Sequence, residues 1–182
     1  MKKQILGFVA TTLIASSALA GDNKPDYTLT VSLMSEQKSE LIGAVGSGGN
    51  EAELVSLPVK SHQLYTYNGM VFGEIHTTAK CGYSGDQLAM EPSQVPVFVN
   101  FEVDGQWSDV NDESLVTAFA AEIKDIKEVT TLGRISDDCA AESVTKRGVK
   151  ASGNVHHYLP GDLVNVVEVG NGYKLKFELK EH

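Results

Sequence analysis

Three separated stretches of this chain alternate apolar and polar residues with a period of two, and that pattern restricts the fold more than any other feature. In Tyr27-Thr28-Leu29-Thr30-Val31-Ser32-Leu33 every odd position is apolar and every even one carries a small hydroxyl. Val95, Val97, Val99, Phe101 and Val103 repeat the pattern, as do Tyr173, Leu175, Phe177 and Leu179 with Lys174, Lys176, Glu178 and Lys180 between them. Successive side chains on a strand point to opposite faces, so each stretch reads as a half-buried strand. Leu163–Val169 is nearly all apolar and reads as a central strand covered on both faces. Turn chemistry places hairpins at Asn68-Gly69, at Asp104-Gly105 and at Gly170-Asn171-Gly172, because Asn and Gly accept the positive φ angles of tight turns. Gly43–Asn50, Tyr83–Gln94 and Ser136–Ser143 read as loops.

A different periodicity falls between Asn111 and Val129. Leu115, Phe119, Ile123 and Ile126 are spaced four, four and three apart, which is a helical stripe. Asn111 suits an N-cap, Asp112 and Glu113 suit a helix start, and Lys124 and Lys127 suit its end. The expected fold is therefore mainly β: an antiparallel β-sandwich or barrel-like domain of about eight strands, with one amphipathic helix near 111–129.

The first twenty residues carry a separate message. Lys2 and Lys3, the apolar run from Ile5 to about Ala15, and Ala18-Leu19-Ala20 make the three parts of a secretory signal peptide. The apolar run is shorter than the ~20 residues of a spanning helix. The domain is expected to be 21–182, in the periplasm or secreted beyond it. Cleavage after Ala20 removes two lysines and no acids, taking the net charge from −9 to −11. So acidic a chain is not expected to bind nucleic acid or anionic lipid. Cys81 and Cys139 are the only cysteines. In an oxidising compartment they are expected to pair, tying the 136–143 loop to the end of the strand at 71–80.

Catalytic signatures are absent from the sequence: no GxSxG elbow, no GxxxxGK[ST] loop and no HExxH helix. Gly46-Ser47-Gly48-Gly49 does not open an expected helix, so it lacks the anion site that phosphate loops use. Glu74 and His76 are two apart, so a strand puts both on one face. With His156 or His157 they would form a carboxylate–imidazole metal site for Zn²⁺ or Cu²⁺. His156 and His157, as strand neighbours, cannot both face it. Asp104, Asp109, Asp112 and Glu113 cluster, but their spacing departs from the EF-hand pattern. For recognition, Tyr65, Tyr67, Trp107, His157 and Tyr158 combine large contact area with a polar tip.

No cofactor is expected, apart from the metal ion that the His/Glu set would hold. The leading expectation is a non-enzymatic binding or accessory module that recognises another protein or an envelope component. The rivals are a periplasmic metal-binding protein and a small hydrolase of unfamiliar type.

Overall fold

A computed structural model describes residues 27–37, 39, 41–42, 50–60, 64–84, 87–107, 114–136, 139–158 and 163–182. The signal-peptide reading, the Gly46–Gly49 run, and the acidic residues Asp109, Asp112 and Glu113 lie outside them. Eight strands follow in order: β1 (Tyr27–Ser35), β2 (Glu51–Val59), β3 (Tyr65–Ser84), β4 (Gln87–Trp107), β5 (Ser114–Ser136), β6 (Cys139–Tyr158), β7 (Val164–Gly170) and β8 (Tyr173–Glu181). They form two antiparallel sheets of four strands, ordered β2-β1-β8-β7 and β3-β4-β5-β6. The sheets pack as a sandwich, the mainly β architecture expected from the alternation.

Register explains how the core closes. Leu29 lies opposite Leu179, Val31 opposite Phe177 and Leu33 opposite Leu175. The apolar rows of the first and last strands therefore coincide on one face, and all six side chains are buried. On the facing sheet the inward row is Val95, Val97, Val99, Phe101 and Val103 of β4. Phe119 of β5 meets Phe177 of β8 across the gap, with ring centroids 5.3 Å apart and planes tilted by 49°. Fully burying each such side chain contributes about 1.5–3 kcal/mol, so these rows dominate the stability.

The segment expected to be helical is strand from Ser114 onward, and 111–113 lie outside the described residues. A spacing of four is common to both periods, because it is one helical turn and also two strand repeats. The intervening odd residues, Thr117 and Ala121, are buried with Leu115, Phe119 and Ile123. Small size hid their inward direction. Ile126, which completed the helical stripe, is buried next to Asp125 just before a bulge that resets the register.

Of the three expected hairpins only the last forms. Asn171 and Gly172 make the β7–β8 turn, with φ of 104° at Gly170, 52° at Asn171 and 77° at Gly172. Strand β3 runs straight through Asn68 and Gly69, which lie opposite Glu102 and Phe101. Strand β4 likewise continues through Asp104 and Gly105. Gly105 serves close approach instead of a turn: the Tyr65 ring crosses its backbone, and a Cβ there would sit 1.7 Å from Cζ of Tyr65. Residues 87–94 and 139–143, expected as loops, belong to β4 and β6. Strand β7 is an edge strand, not a central one, so Val164 and Val166 are exposed.

The larger sheet divides along its length. The β4–β5 ladder runs only from Trp107↔Leu115 to Phe98↔Lys124. The β3–β4 and β5–β6 ladders continue to Ser84↔Gln87 and Ser136↔Cys139. Past Phe98 the sheet becomes two ribbons of two strands each. Their outer strands β3 and β6 adjoin. Cys81 Sγ lies 3.5 Å from the Ala140 carbonyl oxygen, one residue from Cys139. No cysteine among the described residues is free.

Candidate binding face

The recognition residues expected from the sequence scatter over two faces of the β3-β4-β5-β6 sheet. Tyr65 is buried, and its hydroxyl hydrogen-bonds Thr117 Oγ1 at 2.6 Å, two strands away. Burial pushes its phenol up to about 12. Tyr67 is half-buried on the same inward side, and His157 is fully buried opposite Leu115. Tyr65 and His157 belong to the core, and Tyr67 packs against it. Trp107 ends β4, and its side chain is not among those described. Tyr158 is exposed and stacks on His156, with centroids 6.2 Å apart and planes 17° from parallel.

The expected metal set does not assemble. A bulge between Met70 and Phe72 changes which β3 residues share a face with the β4 valines. After it, Glu74 lies opposite Val97 and His76 opposite Val95. His156 lies opposite Val116 on the other face of the sheet, near the opposite end, roughly 30 Å away along the strands. His157 shares the inward face but sits at that same distant level. No group of three His, Cys, Asp or Glu side chains among the described residues is placed to hold a metal ion.

The densest buried polar cluster joins β5, β6 and β8 to the segment after β1. Asp125 Oδ2 accepts hydrogen bonds from Ser39 Oγ at 2.8 Å, Arg147 Nη2 at 3.0 Å, Arg147 Nε at 3.3 Å and the Tyr173 hydroxyl at 2.5 Å. Its Oδ1 accepts the Ile126 N–H at 2.8 Å. The Arg147 guanidinium also stacks 4.7 Å from the Tyr173 ring centroid. Burial first, and then the Asp125 carboxylate, hold the Tyr173 phenol above its ordinary range. This carboxylate is engaged by protein donors on both oxygens, which suits it to locking the two sheets together and not to proton transfer with a substrate.

The outward face of the β3-β4-β5-β6 sheet is built differently. Its rows read Asn68–Glu102–Ala120–Ser152 and Met70–Asn100–Glu122–Lys150 across the four strands. Between them lies a shallow concavity of about 390 Å³. Ala120 makes a low floor on β5, between Asn100 and Glu102 of β4 and Lys150 and Ser152 of β6. Lys150 and Lys124 pair with Glu122 at 3.2 and 3.4 Å, and Lys124 lies 4.8 Å over the Phe98 ring. The Lys150 hydrogen bond, ahead of the Lys124 contact, holds the Glu122 carboxyl below its ordinary value.

Sequence reasoning missed this surface. Asn100 and Glu102 are visibly the outward residues of the β4 alternation, but only the register of three ladders brings them beside Asn68, Ala120 and Ser152. Along the neighbouring seam, Asn165 and Asn171 donate side-chain amides to the His156 and Gly148 carbonyls, at 3.3 and 2.5 Å. Those bonds occupy part of the outer edge of β6.

No family model, curated protein or solved structure matches this chain.

Proposed function

We propose that this protein is an exported, periplasmic or secreted, binding or accessory module that recognises another protein or an envelope component through the outward face of the β3-β4-β5-β6 sheet. The observation that carries the reading is a contrast between the two outer faces. On the β2-β1-β8-β7 sheet two lysines each bridge two carboxylates: Lys176 pairs with Glu51 at 2.8 Å and Glu178 at 3.2 Å, and Lys174 with Glu36 at 2.7 Å and Glu168 at 3.4 Å. On the other face, Asn68, Asn100, Glu102 and Ser152 make no side-chain hydrogen bond to any described residue, and they surround a concavity. Convergent polar groups in a concave site are what a ligand needs for orientation. Export rests on the N-terminal signal pattern, and pairing of Cys81 with Cys139 belongs to the same reading, supported by the approach of β3 to Ala140.

The test is site-specific crosslinking in the producing cell. A photoreactive residue at Ser152 is expected to give a discrete adduct, and one at Lys180 on the opposite outer face is expected to give none. Equal labelling at both positions, or none at Ser152, overturns the assignment of the face.

A further inference from the structure

The concavity on the β3-β4-β5-β6 face is shallow, and that restricts what can fill it. Its floor is Ala120, with Glu102 opposite on β4 and Ser152 opposite on β6. Two strand spacings separate the Glu102 and Ser152 backbones, about 10 Å. That gap, with only a methyl group beneath it, admits one extended side-chain end. Strand β5 is paired on both sides, so an incoming peptide cannot add itself there as a further strand. A free small molecule would stay largely in solvent, whereas small-ligand sites bury most of their ligand. The occupant that fits is a side chain brought by a larger body, which supplies the missing cover.

Charge selects which side chain. Glu122 is already paired, with Lys150 at 3.2 Å and Lys124 at 3.4 Å. Glu102 has no cationic partner among the described residues. Asp104, the next outward residue of β4, stands opposite Ala118 and has none among them either. Around Glu102 the side-chain carbonyls of Asn68 and Asn100 can accept, and the Ser152 hydroxyl stands across the gap. Guanidinium and ammonium groups carry donors only, so they match such a set. The net charge of −9 draws basic partners and repels phosphate-bearing ones. No three His, Cys, Asp or Glu side chains among the described residues converge to hold a metal ion instead.

We infer that the Glu102 side of this concavity seats the cationic end of an arginine or lysine side chain of a partner protein, over Ala120 and facing Ser152. The inference rests on the recognition-face reading above and names the chemistry of its partner.

Two experiments on the exported chain test it. In the first, amide chemical shifts are followed during titration with acetyl-arginine amide, acetyl-lysine amide and the neutral isostere acetyl-citrulline amide. A cationic probe is expected to shift Asn100, Glu102, Ala120 and Ser152, with the citrulline probe without effect. Glu102→Gln is expected to weaken that response about fivefold, the loss of one exposed charge pair. In the second, the photoreactive residue at Ser152 is combined with Glu102→Lys, and the adduct is mapped by mass spectrometry. The adduct is expected to be a protein joined near an arginine or lysine, and Glu102→Lys to abolish it. Glu53→Lys, on the opposite outer face, is expected to leave it unchanged. Melting temperatures verify that each variant is folded. Silence of both cationic probes, an equal response to citrulline, a response unchanged by Glu102→Gln, or a lipid adduct overturns the inference. If Ser152 still gives its adduct with Glu102→Lys in place, the face stands and the cationic seat does not. With no adduct at Ser152 in the unaltered background, both fall.

Discussion

Replacing Asp125 with alanine tests whether the buried polar cluster is a lock between the sheets. The substitution removes the acceptor for Ser39, Tyr173 and the Ile126 N–H, and it strips the Arg147 charge of its carboxylate. Arg147 is only 6% exposed at its side chain and Asp125 is 0%, so water cannot replace what is lost. Removing one partner of a buried pair costs about 3–5 kcal/mol, chiefly from the charge left behind. Against the ~5–15 kcal/mol that keeps a domain folded, that is about a fifth of the total or more. The matching double variant, Asp125→Leu with Arg147→Met, removes both charges and fills the space. It is expected to recover most of the loss, because desolvation of the ion pair then disappears as well. The assay is equilibrium urea unfolding followed by circular dichroism, with the midpoint lowered at an unchanged slope. A single-variant loss below about 1 kcal/mol refutes the lock, since it places the cluster among solvent-screened pairs. A double variant as unstable as the sum of both singles refutes the role of the uncompensated charge.

Three further outcomes follow from the same packing. The Tyr65 phenol is raised from 10.0 to about 12 by burial. The folded chain thus holds that proton more tightly than the unfolded one, and the associated stability is complete below pH 10 and lost as pH rises toward 12. The shift corresponds to about 3 kcal/mol, and Tyr65→Phe is expected to flatten an alkaline unfolding curve over that range. Gly105→Ala drives a methyl into the Tyr65 ring and is expected to cost on the order of 1–3 kcal/mol by overpacking. Tyr65→Leu in the same chain should relieve most of that cost, and thermal melts of the single and double variants check it. Finally, mass spectrometry of the exported protein without reduction is expected to find Cys81 and Cys139 in one crosslinked peptide pair. Alkylation of either thiol in the unreduced protein counts against the pairing.

The alternation was legible in the sequence wherever large apolar residues occupied every inward position, as in β1, β4 and β8. It failed in β5, where Thr117 and Ala121 fill inward sites beneath larger neighbours and only the residues four apart stood out. Glycine misled for a related reason. At Gly170–Gly172 it marks a turn, but at Gly105 it marks a crossing ring, and the two uses look alike until Tyr65 is placed. The proposed binding face was invisible because it is a property of register. Asn68, Glu102, Ala120 and Ser152 come together only after three ladders align them, and the β3 bulge that moved Glu74 and His76 onto the valine face had no sequence signature. For the same reason Tyr65 and His157, chosen for their chemistry, proved to be core.

The pairing of β1 with β8 sets an order on folding. The β3-β4-β5-β6 sheet joins consecutive strands, so it can form by local hairpin closure as the chain appears. The other sheet forms its β1–β2 and β7–β8 pairs in the same way, but it cannot be completed so, because β1 joins β8 with Tyr27 opposite Glu181. Its first strand waits for its last, on the order of ten seconds at ordinary rates of synthesis. Until β8 arrives, β1 is paired on one side only, with β2, and Leu29, Val31 and Leu33 lack Leu179, Phe177 and Leu175 opposite them. Arrival of β8 is then the event that closes the sandwich, and a chain truncated before Tyr173 would leave an apolar strand and an uncovered Phe119 for chaperones to hold.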